Sequence, residues 1–118
     1  MAKRENPNII IVLTGCFPQA FTEEAEAMDE CAIIVGTSNK SKIPQYIDEY
    51  LSHRQRIINI PTHTKDEKFE QMSNKKNSGK TRAYMKIQDG CEAKCTYCAI
   101  SAARGPVRSK RPEDVIRE

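Results

Sequence analysis

A chain of 118 residues with a net charge of +3 and 30% charged side chains has room for one small domain, or for pieces of two. Its hydrophobic content of 38% allows a modest core, and no apolar run approaches the ~20 residues that a membrane helix needs. Five cysteines is an odd number, and their clustering fits a reducing compartment better than a disulfide framework. The N-terminus has no long apolar h-region, so the expected location is the cytoplasm, away from any membrane.

Ile9-Ile10-Ile11-Val12-Leu13 is a continuous β-branched run ended by Gly15, the pattern of a strand buried on both faces of a parallel sheet. Cys16 follows at once, in the kind of strand-final loop where ligands sit in open α/β sheets. Thr22-Glu23-Glu24 offers a cap and first-turn acids for a short helix reaching about Met28. Ala32-Ile33-Ile34-Val35 is a second buried strand, and Cys31 at its start is expected to be a small core hydrophobe. From Ser41 a second helix is signalled by Pro44 in its first turn. Ile43, Tyr46, Ile47, Tyr50 and Leu51 form its core-facing stripe, which places both tyrosines in the core rather than against a ligand. Arg56-Ile57-Ile58-Asn59-Ile60 gives a third strand before Pro61. The order β-α-β-α-β implies an α/β unit with parallel strands and crossover helices over residues 1–61.

Residues 62–80 turn polar and read as a linker between domains. His63 within it, and His53 at the end of the second helix, lack spaced partner ligands and are expected to be solvated. Ala83, Met85 and Ile87 alternate with Tyr84, Lys86 and Gln88, so a strand is predicted over residues 82–88. Asp89-Gly90 is a turn pair, and Gly90-Cys91-Glu92-Ala93-Lys94-Cys95-Thr96-Tyr97-Cys98 follows. Three cysteines spaced Cys-x3-Cys-x2-Cys can hold three irons of a 4Fe–4S cluster and leave the fourth iron without a protein ligand. An amine and a carboxylate on one small molecule can chelate that open iron. S-adenosylmethionine has both, and an electron passed into its sulfonium breaks a C–S bond to release a 5′-deoxyadenosyl radical. A zinc site, which needs four ligands and usually shows paired spacing, is the alternative, as is a chance cluster of buried thiols. After the loop, Arg111-Pro112-Glu113-Asp114 marks a helix start.

Charge is unevenly placed. Residues 75–111 hold ten Lys or Arg against two acids, whereas residues 1–74 hold eight basic and eleven acidic side chains. The basic half, including Arg104, Arg108, Lys110 and Arg111, would favour a polyanion such as RNA, or else form a solvated linker and surface face.

The cysteine loop resembles the signature of the radical S-adenosylmethionine superfamily, with Tyr97 at the aromatic position before the last cysteine. The wider runs Thr81-Arg82-Ala83-Tyr84-Met85-Lys86-Ile87-Gln88-Asp89-Gly90-Cys91 and Ala103-Arg104-Gly105-Pro106-Val107-Arg108-Ser109-Lys110 are more specific. With Asn6-Pro7, Val12-Leu13-Thr14-Gly15-Cys16 and Val35-Gly36, they resemble the methylthiotransferases, and among them the branch acting on threonylcarbamoyladenosine in transfer RNA. Ser101-Ala102, where the family usually has Pro-Tyr, and Pro18, at an alanine-like position, are departures.

The resemblance implies a cluster held by Cys91, Cys95 and Cys98, with S-adenosylmethionine bound near Tyr97. It also implies that Cys16 is one of three ligands to a second 4Fe–4S cluster, the other two falling upstream of Met1. Residues 81–118 would open a radical S-adenosylmethionine barrel with its first β/α unit, and residues 1–61 would be the C-terminal part of the preceding domain. The chain would then be an incomplete form of an enzyme whose partners are tRNA, an electron donor and a sulfur source. Other substrates for the same chemistry are isopentenyl-adenosine in tRNA or an aspartate of a ribosomal protein. A radical enzyme of another kind, or a zinc-stapled nucleic-acid binder, are the remaining alternatives.

Overall fold

The computed structural model describes residues 2–72 and 83–118, in two compact units, Met1–Thr62 and His63–Glu118. Residues 73–80 of the expected linker, Thr81 and Arg82, and with them the basic Lys75, Lys76 and Lys80, lie outside the described residues.

The first unit runs α1 (Ala2–Glu5), β1 (Val12–Thr14), α2 (Cys16–Ala20), α3 (Thr22–Glu26), β2 (Ile33–Val35), a 3-10 turn (Lys40–Lys42), α4 (Ile43–His53) and β3 (Ile57–Asn59). The three strands pair in the order β1-β2-β3, all parallel, with Val12, Ile33 and Ile57 in register. The expected parallel α/β sheet is present, each strand shorter than its apolar run. Side chains of β2 alternate between two buried faces. Ile34 packs with Ala25 and Cys31, flanked by Ile11, Leu13, Met28 and Ile60. Ile33 and Val35 face the opposite way, toward Ile43, Tyr46, Ile47 and Tyr50 of α4. Full burial of each β2 side chain contributes about 1.5–3 kcal/mol, which makes this strand the unit's core.

Cys31 is 4% exposed and belongs to that core, as expected. Leu51 does not: it is 48% exposed. At 100° per residue it lies roughly 90° from the centre of the stripe formed by Ile43, Tyr46, Ile47 and Tyr50, past the edge of the sheet-facing surface. Pro18 is fully buried in α2. Its missing N–H costs no helical bond, because donors in a first helical turn have no intrahelical acceptor.

The second unit contains β4 (Gln88–Asp89), α5 (Ile100–Arg104), β5 (Arg108–Ser109) and α6 (Pro112–Arg117). β4 and β5 pair antiparallel, Gln88 with Ser109 and Asp89 with Arg108, and the Lys110 N–H extends the ladder to the Ile87 carbonyl at 2.8 Å. The strand predicted over residues 82–88 is thus realised only at its end. β5, the one strand partner among the described residues of this unit, gives way to α6 at Pro112, so residues 83–86 have no ladder to join. α6 begins where expected, with Pro112 in its first turn beside Glu113 and Asp114. Among the described residues no helix is long and apolar enough to cross a membrane.

Candidate functional site

The cysteine loop leaves β4 and returns through α5. Gly90 takes φ 85°, and a Cβ there would stand 1.9 Å from the Pro106 carbonyl oxygen, so the first stem of the loop packs against the second backbone to backbone. One residue on, the Cys91 N–H donates to the Gly105 carbonyl at 3.0 Å. Inside the loop, the Cys98 N–H donates to the Cys95 carbonyl at 3.0 Å, forming a turn around Thr96 and Tyr97. Cys95 is exposed, Cys91 and Cys98 are half-buried, and none is in a disulfide. Tyr97 is 91% exposed. Among the described residues no three His, Cys, Asp or Glu side chains stand close enough to hold an ion. The donor set nevertheless fits an iron–sulfur group: three free thiols on one short loop, anchored at both ends and little committed between them.

The anchor is a charged network. Asp89, its side chain 10% exposed, takes Arg104 Nη1 at 2.8 Å and the Gly90 N–H at 3.0 Å on Oδ1, and Lys86 Nζ at 2.5 Å on Oδ2. Arg108 Nη2 stands 3.9 Å from the same carboxylate. Burial pushes this carboxyl up, but the hydrogen bonds from Lys86, Arg104 and Gly90 outweigh it and hold the group well below the usual carboxylate range. Arg108, with 5% of its side chain exposed, also pairs with Glu67 at 3.1 Å. Glu67 in turn meets His63 Nδ1 at 2.6 Å, and His63 Nε2 lies 3.2 Å from the Ala103 carbonyl.

These contacts correct two expectations. His63 is not solvated: its side chain is 5% exposed, because Gly105 at φ 66° has no Cβ and lets the imidazole close onto α5. His53 is exposed, as expected. Nor do the cations after the cysteines form a free basic face. Arg104 and Arg108 are committed to carboxylates, and Lys110, 9% exposed, pairs with Glu118. Only Arg111 of that group stays exposed. The sequence showed the Asp89-Gly90 turn but gave no sign that Arg104 and Arg108, 15 and more residues away, would close onto Asp89.

Cys16 lies in the first unit as the opening residue of α2, directly after β1 and Gly15, and is exposed at the C-terminal edge of the parallel sheet. Gln19, one turn on, ties that helix to two strand ends. Its Nε2 donates to the Pro61 carbonyl at 2.9 Å, and its Oε1 accepts from the Thr37 N–H at 3.0 Å. Gly36 leaves room for this side chain, since a Cβ there would fall 2.0 Å from Gln19 Oε1. The role of Gln19 was not visible in the sequence, where it is one polar residue in a five-residue helix without a side-chain cap.

No family model matches the chain. It is 39% identical over 117 residues to the threonylcarbamoyladenosine tRNA methylthiotransferase MtaB of Bacillus subtilis, an alignment covering 99% of this chain and 26% of that protein. It is 35% identical over 127 residues to the ribosomal protein uS12 methylthiotransferase RimO of Acetivibrio thermocellus, covering all of this chain and 28% of the relative. It is also 36% identical over 122 residues to a tRNA-2-methylthio-N(6)-dimethylallyladenosine synthase of a Thermoanaerobacter species, covering 98% and 25%. The chain spans about a quarter of the length of these curated relatives.

Proposed function

We propose that this chain, homologous to methylthiotransferases along 99% of its length, is the part of such an enzyme that holds a 4Fe–4S cluster for S-adenosylmethionine. The whole protein would methylthiolate threonylcarbamoyladenosine in tRNA. The observation that carries this reading is the set of three free thiols on one loop anchored at both stems. Cys91, Cys95 and Cys98 would each bind one iron, and S-adenosylmethionine would take the iron left open beside Tyr97. When bound, the group supplies the radical chemistry needed to exchange an unactivated aromatic C–H, which has no useful acidity, for C–SCH3. Cys16, exposed at the sheet edge, would be one ligand of a second cluster. The partners would be tRNA, an electron donor and a sulfur source. The 39% identity to the Bacillus subtilis relative supports the threonylcarbamoyladenosine branch over substrates named for the other two.

Anaerobic reconstitution with iron and sulfide tests the reading. The chain should turn brown and bind about four irons, as a single 4Fe–4S unit requires. Ala at Cys91, Cys95 or Cys98 should remove the colour, whereas Cys31→Ala should keep it and Cys16→Ala should leave the iron count unchanged. A colourless, zinc-loaded protein would overturn the reading. So would a Cys31→Ala variant that bleaches while Cys95→Ala stays brown.

A further inference from the structure

We propose that Asp89 and Arg104 are positioning residues for the iron–sulfur group. In this role their ion pair closes the base of the cysteine loop and presents Cys91 and Cys98 to one cluster before it binds. The inference deepens the functional reading above and rests on it. Asp89 stands two residues before the first thiol of the loop, and Arg104 ends the helix that begins two residues after the last. The 2.8 Å pair between them therefore ties together the two flanks of the candidate ligand set.

A second tie lies beside it, from the Cys91 N–H to the Gly105 carbonyl at 3.0 Å. Holding a loop's ends removes most of the closure entropy that ligand binding would otherwise have to overcome. Within the loop a backbone bond spans Cys95 to Cys98 and leaves Cys91 outside it, so convergence of the three thiols depends on the stems.

Exposed ion pairs contribute little, but this one is different. Asp89 is 10% exposed and meets Lys86 as well as Arg104. Its carboxylate is enclosed and oriented, and the loop's geometry is coupled to that orientation. Groups that orient metal ligands without touching the metal typically change metal affinity about 10–100-fold when removed.

The experiment uses the 118-residue chain reconstituted anaerobically with iron and sulfide. Loss of iron to a chelator is timed, and the electron paramagnetic resonance spectrum of the reduced cluster is recorded with and without S-adenosylmethionine. Asp89→Asn and Arg104→Gln should each lose iron at least about tenfold faster than wild type, with an altered spectrum. Arg104→Lys, which keeps a cation, should restore most of the retention. Glu118→Gln removes a different ion pair of the same unit, the one to Lys110, and should leave both readouts unchanged. Wild-type kinetics and spectrum in Asp89→Asn would overturn the inference. So would equal iron loss in Glu118→Gln, which would reduce the effect to general destabilisation, or no recovery in Arg104→Lys. A wild-type chain that takes up no iron would remove the functional reading, and this inference with it.

Discussion

Replacing Gly105 with alanine should open the stem of the cysteine loop. Gly105 adopts φ 66° and ψ −158°, a region essentially confined to glycine, and holding another residue there costs about 1–3 kcal/mol. The new methyl would stand 2.4 Å from His63 Cβ and 2.5 Å from its Cγ. Ordinary contact begins at 3.4 Å, so one side must move by about 1 Å, and overpacking of this kind costs about 1–3 kcal/mol more. His63 cannot yield cheaply, because its ring is held by Glu67 and lies against the Ala103 carbonyl. Even the low end of both costs, about 2 kcal/mol together, raises local opening roughly 30-fold. Amide hydrogen exchange reads this directly. The Cys91, Gly105 and Lys110 amides, bonded to Gly105, Ser101 and Ile87 carbonyls, should exchange faster by that factor, and the Ala32 and Ile57 amides of the first unit should not change. In a His63→Gly background the same substitution should cost only its backbone part, whereas His63→Ala, which keeps Cβ, should give little relief. Unchanged exchange at Cys91 in Gly105→Ala would refute both the packing and the strain argument.

Arg108→Met should destabilise the second unit by about 1–3 kcal/mol, because Glu67 and Asp89 lose a buried donor while keeping His63, Lys86 and Arg104; denaturant midpoints check this, and an unchanged midpoint would contradict it. Arg111→Gln, at an exposed position, should leave stability unchanged and lower the salt slope of RNA binding by about one if that residue meets a phosphate. An unaltered slope would assign Arg111 to solvent. Asp89, held below the usual carboxylate range, should contribute stability that is complete above its unfolded value of about pH 4 and lost as pH falls toward its folded value. Wild type should therefore lose more stability than Asp89→Asn on acidification below about pH 4, and parallel curves would rule that out.

The first unit was legible because its information is local. Each strand announces itself as a run of β-branched residues, and a parallel sheet covered on both faces needs nothing more specific than that. The tyrosines of α4 could be assigned to the core from spacing alone, and Cys31 from the apolar run beside it. What failed there was small: strands trimmed at their ends, Leu51 turned out of the stripe, and α2, too short and uncapped to leave a periodic mark.

The second unit behaves differently. Its cysteine spacing could be read at once, since ligands on one loop are a local pattern. The frame that holds the loop could not, because it is built from charges distant in sequence. His63 and Glu67 reach residues some 40 positions away, and a lone histidine in a polar stretch carries no mark of a glycine waiting to receive it. The basic bias of residues 75–111 could not show which of its cations are paired, for the same reason. Composition counts cations but not the carboxylates they meet, and three cations after the cysteines are committed within the unit. Paired in this way, Arg104 and Arg108 act on the loop's shape before they act on any polyanion. Among the described residues that follow the first thiol, Lys94 and Arg111 are exposed cations and the candidates for meeting a polyanion on this unit.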